Sequence, residues 1–288
     1  MLLGPESGVG VAQETEHQTT TPSPFDSQPA TEERQPATAK FWASPQQVVA
    51  GETTYIAVEF SIEEHWHIYW LYAGANGDPT EFNVMAPENI EVGPVIFPRP
   101  QRFKEPEGDV YGYENKAVFL VPLTVHKNHR ARKISVSIDA YWLVCRKICL
   151  LGEKSQKIMV EVLPPDATVQ PPDAQVKAAL AAKPIDAITV KGFEIFFGGG
   201  LLKLSGPLKG LDKADFFPNP MAGIQYGTPK ITTSGSRFEI DVPVEIELHN
   251  TLGEKLDLRG LVVLGDKPTD PSYSFSVPAK AQTPPDKK

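Results

Sequence analysis

From Ile134 to Val144 every second residue is apolar (Ile134, Val136, Ile138, Ala140, Trp142, Val144), and the run ends directly on Cys145. Successive strand side chains point to opposite faces, so a period of two marks a strand with one face buried. Ile56, Val58 and Phe60 alternate in the same way with Ala57 and Glu59. Proline and glycine punctuate the intervals, as in Gly93-Pro94, Pro98-Arg99-Pro100 and Gly108. With many short strands and no clear helix, residues 41–163 read as a β-sandwich.

The rest of the chain divides around that unit. Residues 1–40 are rich in Thr, Gln, Glu, Ser and Pro and poor in apolar side chains, which predicts a disordered tail. Residues 164–190 read as a linker opening with Pro164-Pro165 and Pro171-Pro172. Asp173 is placed to cap one short helix through Ala182, ended by Lys183-Pro184. Residues 191–278 alternate again, at Phe193, Ile195 and Phe197 and from Phe238 to Leu248, with further strands at 260–264 and 273–277. They predict a second, smaller sandwich with a structural or docking role, followed by a polar tail over 279–288. The class is all-β.

A net charge of −8 argues against nucleic acid as a partner, because phosphate binding needs a basic surface. No stretch approaches the roughly 20 apolar residues that span a bilayer, so direct membrane insertion is not expected. Met1-Leu2-Leu3-Gly4-Pro5 is too short for the apolar core of a secretion signal, while 8–13 look like the tail of one. The expectation is a start that is truncated or misplaced.

Cys145 and Cys149 are the only cysteines. On a straight strand, residues four apart are separated by about 13 Å. A disulfide needs Cα atoms within roughly 7 Å. Oxidation of the pair therefore requires a turn after Val144, and Ile158–Leu163 reads as the returning strand. The pair would sit at a hairpin tip, where a rigid β scaffold presents functional loops. Arg146 and Lys147 lie between the cysteines, and cations favour the attacking thiolate. A structural bridge in so small a ring would contribute only about 2 kcal/mol by the loop formula. Exchange, a structural bridge and metal binding are the three roles open to such a pair.

The stretch Trp142-Leu-Val-Cys-Arg-Lys-Ile-Cys-Leu150 resembles the active-site segment of the N-terminal periplasmic domain of DsbD- and ScsB-type thiol:disulfide interchange proteins. Upstream pieces match in order: His65-Trp-His-Ile-Tyr-Trp70, Gly77-Asp-Pro-Thr80, Phe97 to Phe103, Tyr111-Gly-Tyr-Glu114 and Val121-Pro-Leu123. Asp215-Phe-Phe-Pro218 and 260–264 look like the region that follows in ScsB-like members. The resemblance implies an immunoglobulin-like fold, a periplasmic location and a redox shuttle. Cys145 and Cys149 would carry electrons from a membrane-embedded thiol donor to disulfides of periplasmic client proteins, with no cofactor. Cytochrome c maturation and copper tolerance are processes it suggests. It also implies a cap loop over the disulfide, here Phe103 to Tyr113. Family members place a cap phenylalanine where this chain has Val110, so Tyr111 or Phe103 would have to shield the pair.

Further residues carry weaker expectations. His65 and His67 would share a strand face with Tyr69, and with the cysteines they offer a ligand set suited to Cu(I) or Zn(II); hydrogen-bonded histidines at a strand edge are the simpler reading. Trp66, Ile68 and Trp70 would face the core. Asp109 and Glu114 are candidates for raising a nearby thiol pKa, or are solvated loop charges. Tyr111 and Tyr113 are candidates for cap or partner contacts. Gly198-Gly-Gly200 reads as a hairpin turn rather than a phosphate cradle. The chain has no Gly-x-Ser-x-Gly elbow and no His-Glu-x-x-His.

Overall fold

The structure, a computed structural model, describes residues 35–247 and 256–279. The first sandwich opens with β1 (Ala37–Ser44), β2 (Gln47–Val49), β3 (Thr53–Ile62), β4 (His67–Gly74), β5 (Glu81–Met85) and β6 (Ile90–Val92). It continues with β7 (Gln101–Glu105), β8 (Gly108–Tyr113), β9 (Lys116–Val125), β10 (Lys133–Cys145) and β11 (Cys149–Leu163). One sheet has the order β1-β3-β9-β6. The other runs β2-β11-β10-β4-β8-β7, and β5 joins β10 beyond the end of β4.

The alternation read in the sequence is the division between core and surface. Ile134, Val136, Ile138, Ala140, Trp142 and Val144 are all buried, facing Ile56, Val58 and Phe60 in one cluster. Phe60 lies edge-on to Phe119 at 5.5 Å and to Trp142 at 5.0 Å, a geometry favoured by the ring quadrupoles. β1 starts at Ala37, not at Phe41, because Ala37 and Ala39 also point into this core and pair with Ile62 and Phe60. The rest of the expected N-terminal tail, residues 1–34, lies outside the described residues, as do Leu248 and 280–288 of the expected C-terminal tail.

The linker helix forms as its composition predicts. α1 (Ala174–Ala181) is capped by Asp173, whose carboxylate accepts from the backbone N–H of Gln175 and Val176. It is more than a spacer. Val176 is buried with Ala57 and Leu120 on the outer face of the first sheet, and the Trp42 indole donates to Asp173 at 2.7 Å.

The second sandwich contains β12 (Ile185–Asp186), β13 (Glu194–Gly198), β14 (Leu201–Pro207), β15 (Ala214–Pro218) and β16 (Ile224–Tyr226). β17 (Lys230–Ser234), β18 (Arg237–Ile246), β19 (Asp257–Leu264) and β20 (Ser272–Pro278) complete it. Its sheets are β12-β20-β19-β15 and β13-β14-β18-β16, with β17 also on β18. It begins at 185 rather than 191, since β12 pairs with β20 and Ala187 is buried in its core. Gly199 and Gly200, both at positive φ, turn the β13–β14 hairpin.

The two sandwiches are not separate beads. Phe217, Leu261 and Val263 of the second are buried in the core cluster of the first. Phe217 meets Trp70 at 6.1 Å and Tyr111 at 5.2 Å.

Candidate active site

The β10–β11 hairpin is in unbroken register from Lys133–Glu161 to Cys145–Cys149. Three residues, Arg146, Lys147 and Ile148, close it, with Arg146 N–H donating to Ile148 C=O at 3.1 Å. That turn brings the two Cα atoms to 4.2 Å, and the cysteines are joined as a disulfide. The ring is asymmetric. Cys145 is 3% exposed, whereas Cys149 and the loop cations Arg146 and Lys147 are exposed. Ile148 and Leu151 add apolar surface at the tip, 62% and 79% exposed. Further down, Gly152 faces Trp142 across the hairpin; a Cβ at this position would overlap the indole.

Cys145 is covered from the other side of the strand. Its antiparallel partner on β4 is His67. Ile68 and Trp70 turn to the core, as expected, while Trp66 is half-buried against it. His67 and Tyr69 turn to the outer face, where Tyr69, Ala73, Val110 and Cys145 form a small buried cluster with Phe103 and Leu143. The Phe103 ring stacks on the His67 imidazole at 5.0 Å and 17°. Tyr69 meets the same imidazole edge-on at 5.0 Å. Phe103 and Val110 are cross-strand partners in the β7–β8 hairpin. Of the two expected shields, Phe103 packs against the cluster that holds Cys145 and Tyr111 does not, while Val110 is itself buried in that cluster.

The Gly77-Asp-Pro-Thr80 segment folds over Tyr69. Gly77 has φ +88° and no room for a Cβ beside the phenol ring, and Thr80 Oγ1 donates to the Tyr69 carbonyl at 2.9 Å. Burial, with the charges of Glu105 and Asp78, pushes the Tyr69 phenol up to about 12. Burial lowers the pKa of His67, partly opposed by Glu105 and Glu114. His67 is 5% exposed; among the described residues its Nε2 has no hydrogen-bond partner, and Glu105 Oε1 lies 3.7 Å away.

Several expected residues lie elsewhere. His65 does not share a strand face with His67: it precedes β4 at φ +69°, and its exposed ring sits 3.6 Å from Glu64. The four-residue ligand set is therefore not assembled. Tyr113 is buried in the sandwich core and donates to Pro98 C=O at 2.9 Å. Tyr111 is buried against Phe217 and under the Arg102 guanidinium, so neither tyrosine is a cap surface. The period of two decides this, since 111 and 113 lie on the opposite face of β8 from Val110. Asp109 also faces away from the disulfide. Burial would raise its pKa, but ion pairs with Lys104 and Arg102 outweigh that and hold it below the usual carboxylate range. Glu114 acts on His67 only through its charge.

Two arginines escaped the sequence reading. Arg102 on β7 reaches Asp215 on β15 with Nε at 2.9 Å and Nη2 at 2.7 Å, and donates to Phe216 C=O. Arg99 donates to the carbonyls of Leu264, Lys267 and Gly265 at 2.6–2.8 Å. Their signal was present as cations inside the Phe97–Phe103 segment, without anything to name their partners.

Residues 37–161 match the family model described as thiol:disulfide interchange protein DsbD, N-terminal. This part of the chain is a DsbD-type N-terminal domain. The crystal structure of the N-terminal periplasmic domain of ScsB from Proteus mirabilis is similar in fold, with a TM-score of 0.60 and 19% identity. That match covers 87% of this chain and 96% of the ScsB domain, so it takes in the second sandwich. The reduced DsbD N-terminal domain of Neisseria meningitidis aligns over 46% of this chain and 90% of its own at 11% identity, with a TM-score of 0.26. No curated protein matches the chain. The DsbD-type domain is thus a thiol–disulfide interchange module whose one disulfide is Cys145–Cys149. Among the described residues no helix is long and apolar enough to cross a membrane.

Proposed function

We propose that the chain is a periplasmic protein-disulfide reductase module that cycles Cys145–Cys149 between dithiol and disulfide. Electrons arrive from a membrane-embedded thiol donor and leave to disulfides of periplasmic clients, in processes such as cytochrome c maturation or copper tolerance. The observation that carries this reading is the unequal exposure of the two sulfurs. Cys149 sits on an exposed hairpin tip in the loop with Arg146 and Lys147, while Cys145 is buried in a cluster with Tyr69, Ala73 and Val110 that Phe103 packs against, and is paired in register with His67. Exchange needs one accessible sulfur to form a mixed disulfide and a second, held close, to resolve it. In the reduced module the Cys149 thiolate attacks the client disulfide. Cys145 then attacks Cys149, restoring the intramolecular bond and releasing the client as a dithiol. Phe103 and Val110 act as the cap.

The second sandwich serves this site by holding β7 from behind through Arg102, and the segment just before it through Arg99. The test is the equilibrium reduction potential of the pair in a glutathione or dithiothreitol buffer. A value between about −180 and −270 mV is expected of an exchange couple; a value below about −300 mV would make the bridge structural and end the proposal.

A further inference from the structure

His67 is a buried imidazole packed against the rings of Phe103 and Tyr69. It is paired in register with Cys145 on the same sheet face, and residues so paired have Cα atoms only about 4.5–5.5 Å apart. Among the described residues its buried Nε2 has no hydrogen-bond partner, and an unsatisfied buried polar atom is costly to keep. Phe103 stacks across its ring and shuts it from water. We propose that neutral His67 accepts the Cys145 thiol proton in the resolving step, which deepens the exchange mechanism above and rests on it.

The chemistry requires such a group. Once Cys149 is in a mixed disulfide, Cys145 must become a thiolate, and burial opposes that ionisation. Transfer breaks the Cys145 S–H bond and forms imidazolium at His67. The Cys145 sulfur then attacks the Cys149 sulfur. The Cys145–Cys149 bond forms, the mixed disulfide breaks, and the client sulfur leaves with the electron pair. The dithiol loses two electrons and the client disulfide gains them; His67 returns its proton to water when the cap opens.

The surrounding groups suit this role. Glu105 on β7, 3.7 Å away, and Glu114 after β8 both favour the imidazolium by charge, while burial keeps the resting ring neutral and able to accept. Tyr69, adjacent on the same face, is held as a neutral phenol and does not compete for the proton near neutral pH. Arg146 and Lys147 are exposed in the loop that joins the two cysteines.

The experiment mixes the fully reduced chain, in excess, with the aromatic disulfide dithiobis-nitrobenzoate and follows thionitrobenzoate release by stopped flow. The first phase reports attack by Cys149 and the second reports resolution by Cys145. In His67→Gln the second phase should slow at least 10-fold near neutral pH, as expected for loss of a positioned base. The first phase should stay unchanged, and the variant should catch up at alkaline pH, where Cys145 ionises unaided. Glu105→Gln, at a partly exposed position, should move the inflection of the second phase to lower pH, and it decides the matter if His67→Gln does not fold. Unchanged second phases, or both phases slowed alike, would overturn the role of His67. Absence of both phases in the parent chain would instead remove the exchange mechanism itself.

Discussion

Arg102 and Asp215 are 113 residues apart in the chain and joined by two N–H donors at 2.9 and 2.7 Å. Phe103, the next residue along β7, points the opposite way and stacks on His67 above Cys145. One strand thus has the redox site on one face and the second sandwich on the other. Asp215→Ala should loosen the cap from behind. Charged hydrogen bonds of this kind contribute about 1.5–3 kcal/mol each, less where solvent reaches them. We expect a loss of about 2 kcal/mol in urea unfolding, together with faster reduction of the disulfide by dithiothreitol. An unchanged reduction rate would separate the second sandwich from the cap.

Phe103→Ala removes the shield directly. Half-buried as it is, the ring should contribute about 2 kcal/mol, below the 3–5 seen for full burial. Its larger effect should be kinetic: reduction of Cys145–Cys149 by a small thiol, read from thiol release, should quicken several-fold.

Cys145→Ser and Cys149→Ser should each abolish reductase turnover with an insulin-type disulfide substrate while preserving the fold. Loss of so short a loop costs only about 2 kcal/mol. Cys145→Ser alone should accumulate a covalent client adduct visible on non-reducing gels, because Cys149 remains to attack and nothing resolves it. Adduct formation in Cys149→Ser instead would reverse the assignment.

Stability should fall on acidification through a window set by His67. Its folded pKa lies below the unfolded imidazole value of about 6.5. Between the two values the unfolded chain binds the proton and the folded chain does not, so stability rises with pH there and is lost as pH falls below about 6.5. His67→Gln should remove this part of the slope in urea titrations from neutral to mildly acidic pH.

Gly152→Ala should destabilise the hairpin, because its Cβ would meet the Trp142 indole in a packed site. Overpacking of this kind costs about 1–3 kcal/mol. A shift in the urea midpoint of that size is expected, and a neutral effect would mean that the ring has room to move.

Local pattern was enough for much of this protein. The alternating run into Cys145, the spacing of the cysteines, the capped helix at Asp173 and the Gly199-Gly200 turn are written in contiguous residues, because side-chain period, chain reach and φ preference are local properties. The hairpin and its exposed sulfur followed from them. Tertiary structure decided what covers the pair. Phe103, rather than Tyr111, packs against the cluster that holds Cys145 because the register of β7 on β8 sends it to the same face as Val110, and register is set by long-range pairing. His67 becomes a buried neighbour of Cys145, while His65, two residues away, is left in the turn, because β4 begins at His67. Arg102 finds Asp215 only once two sandwiches pack, since no sequence spacing encodes a contact between segments that distant.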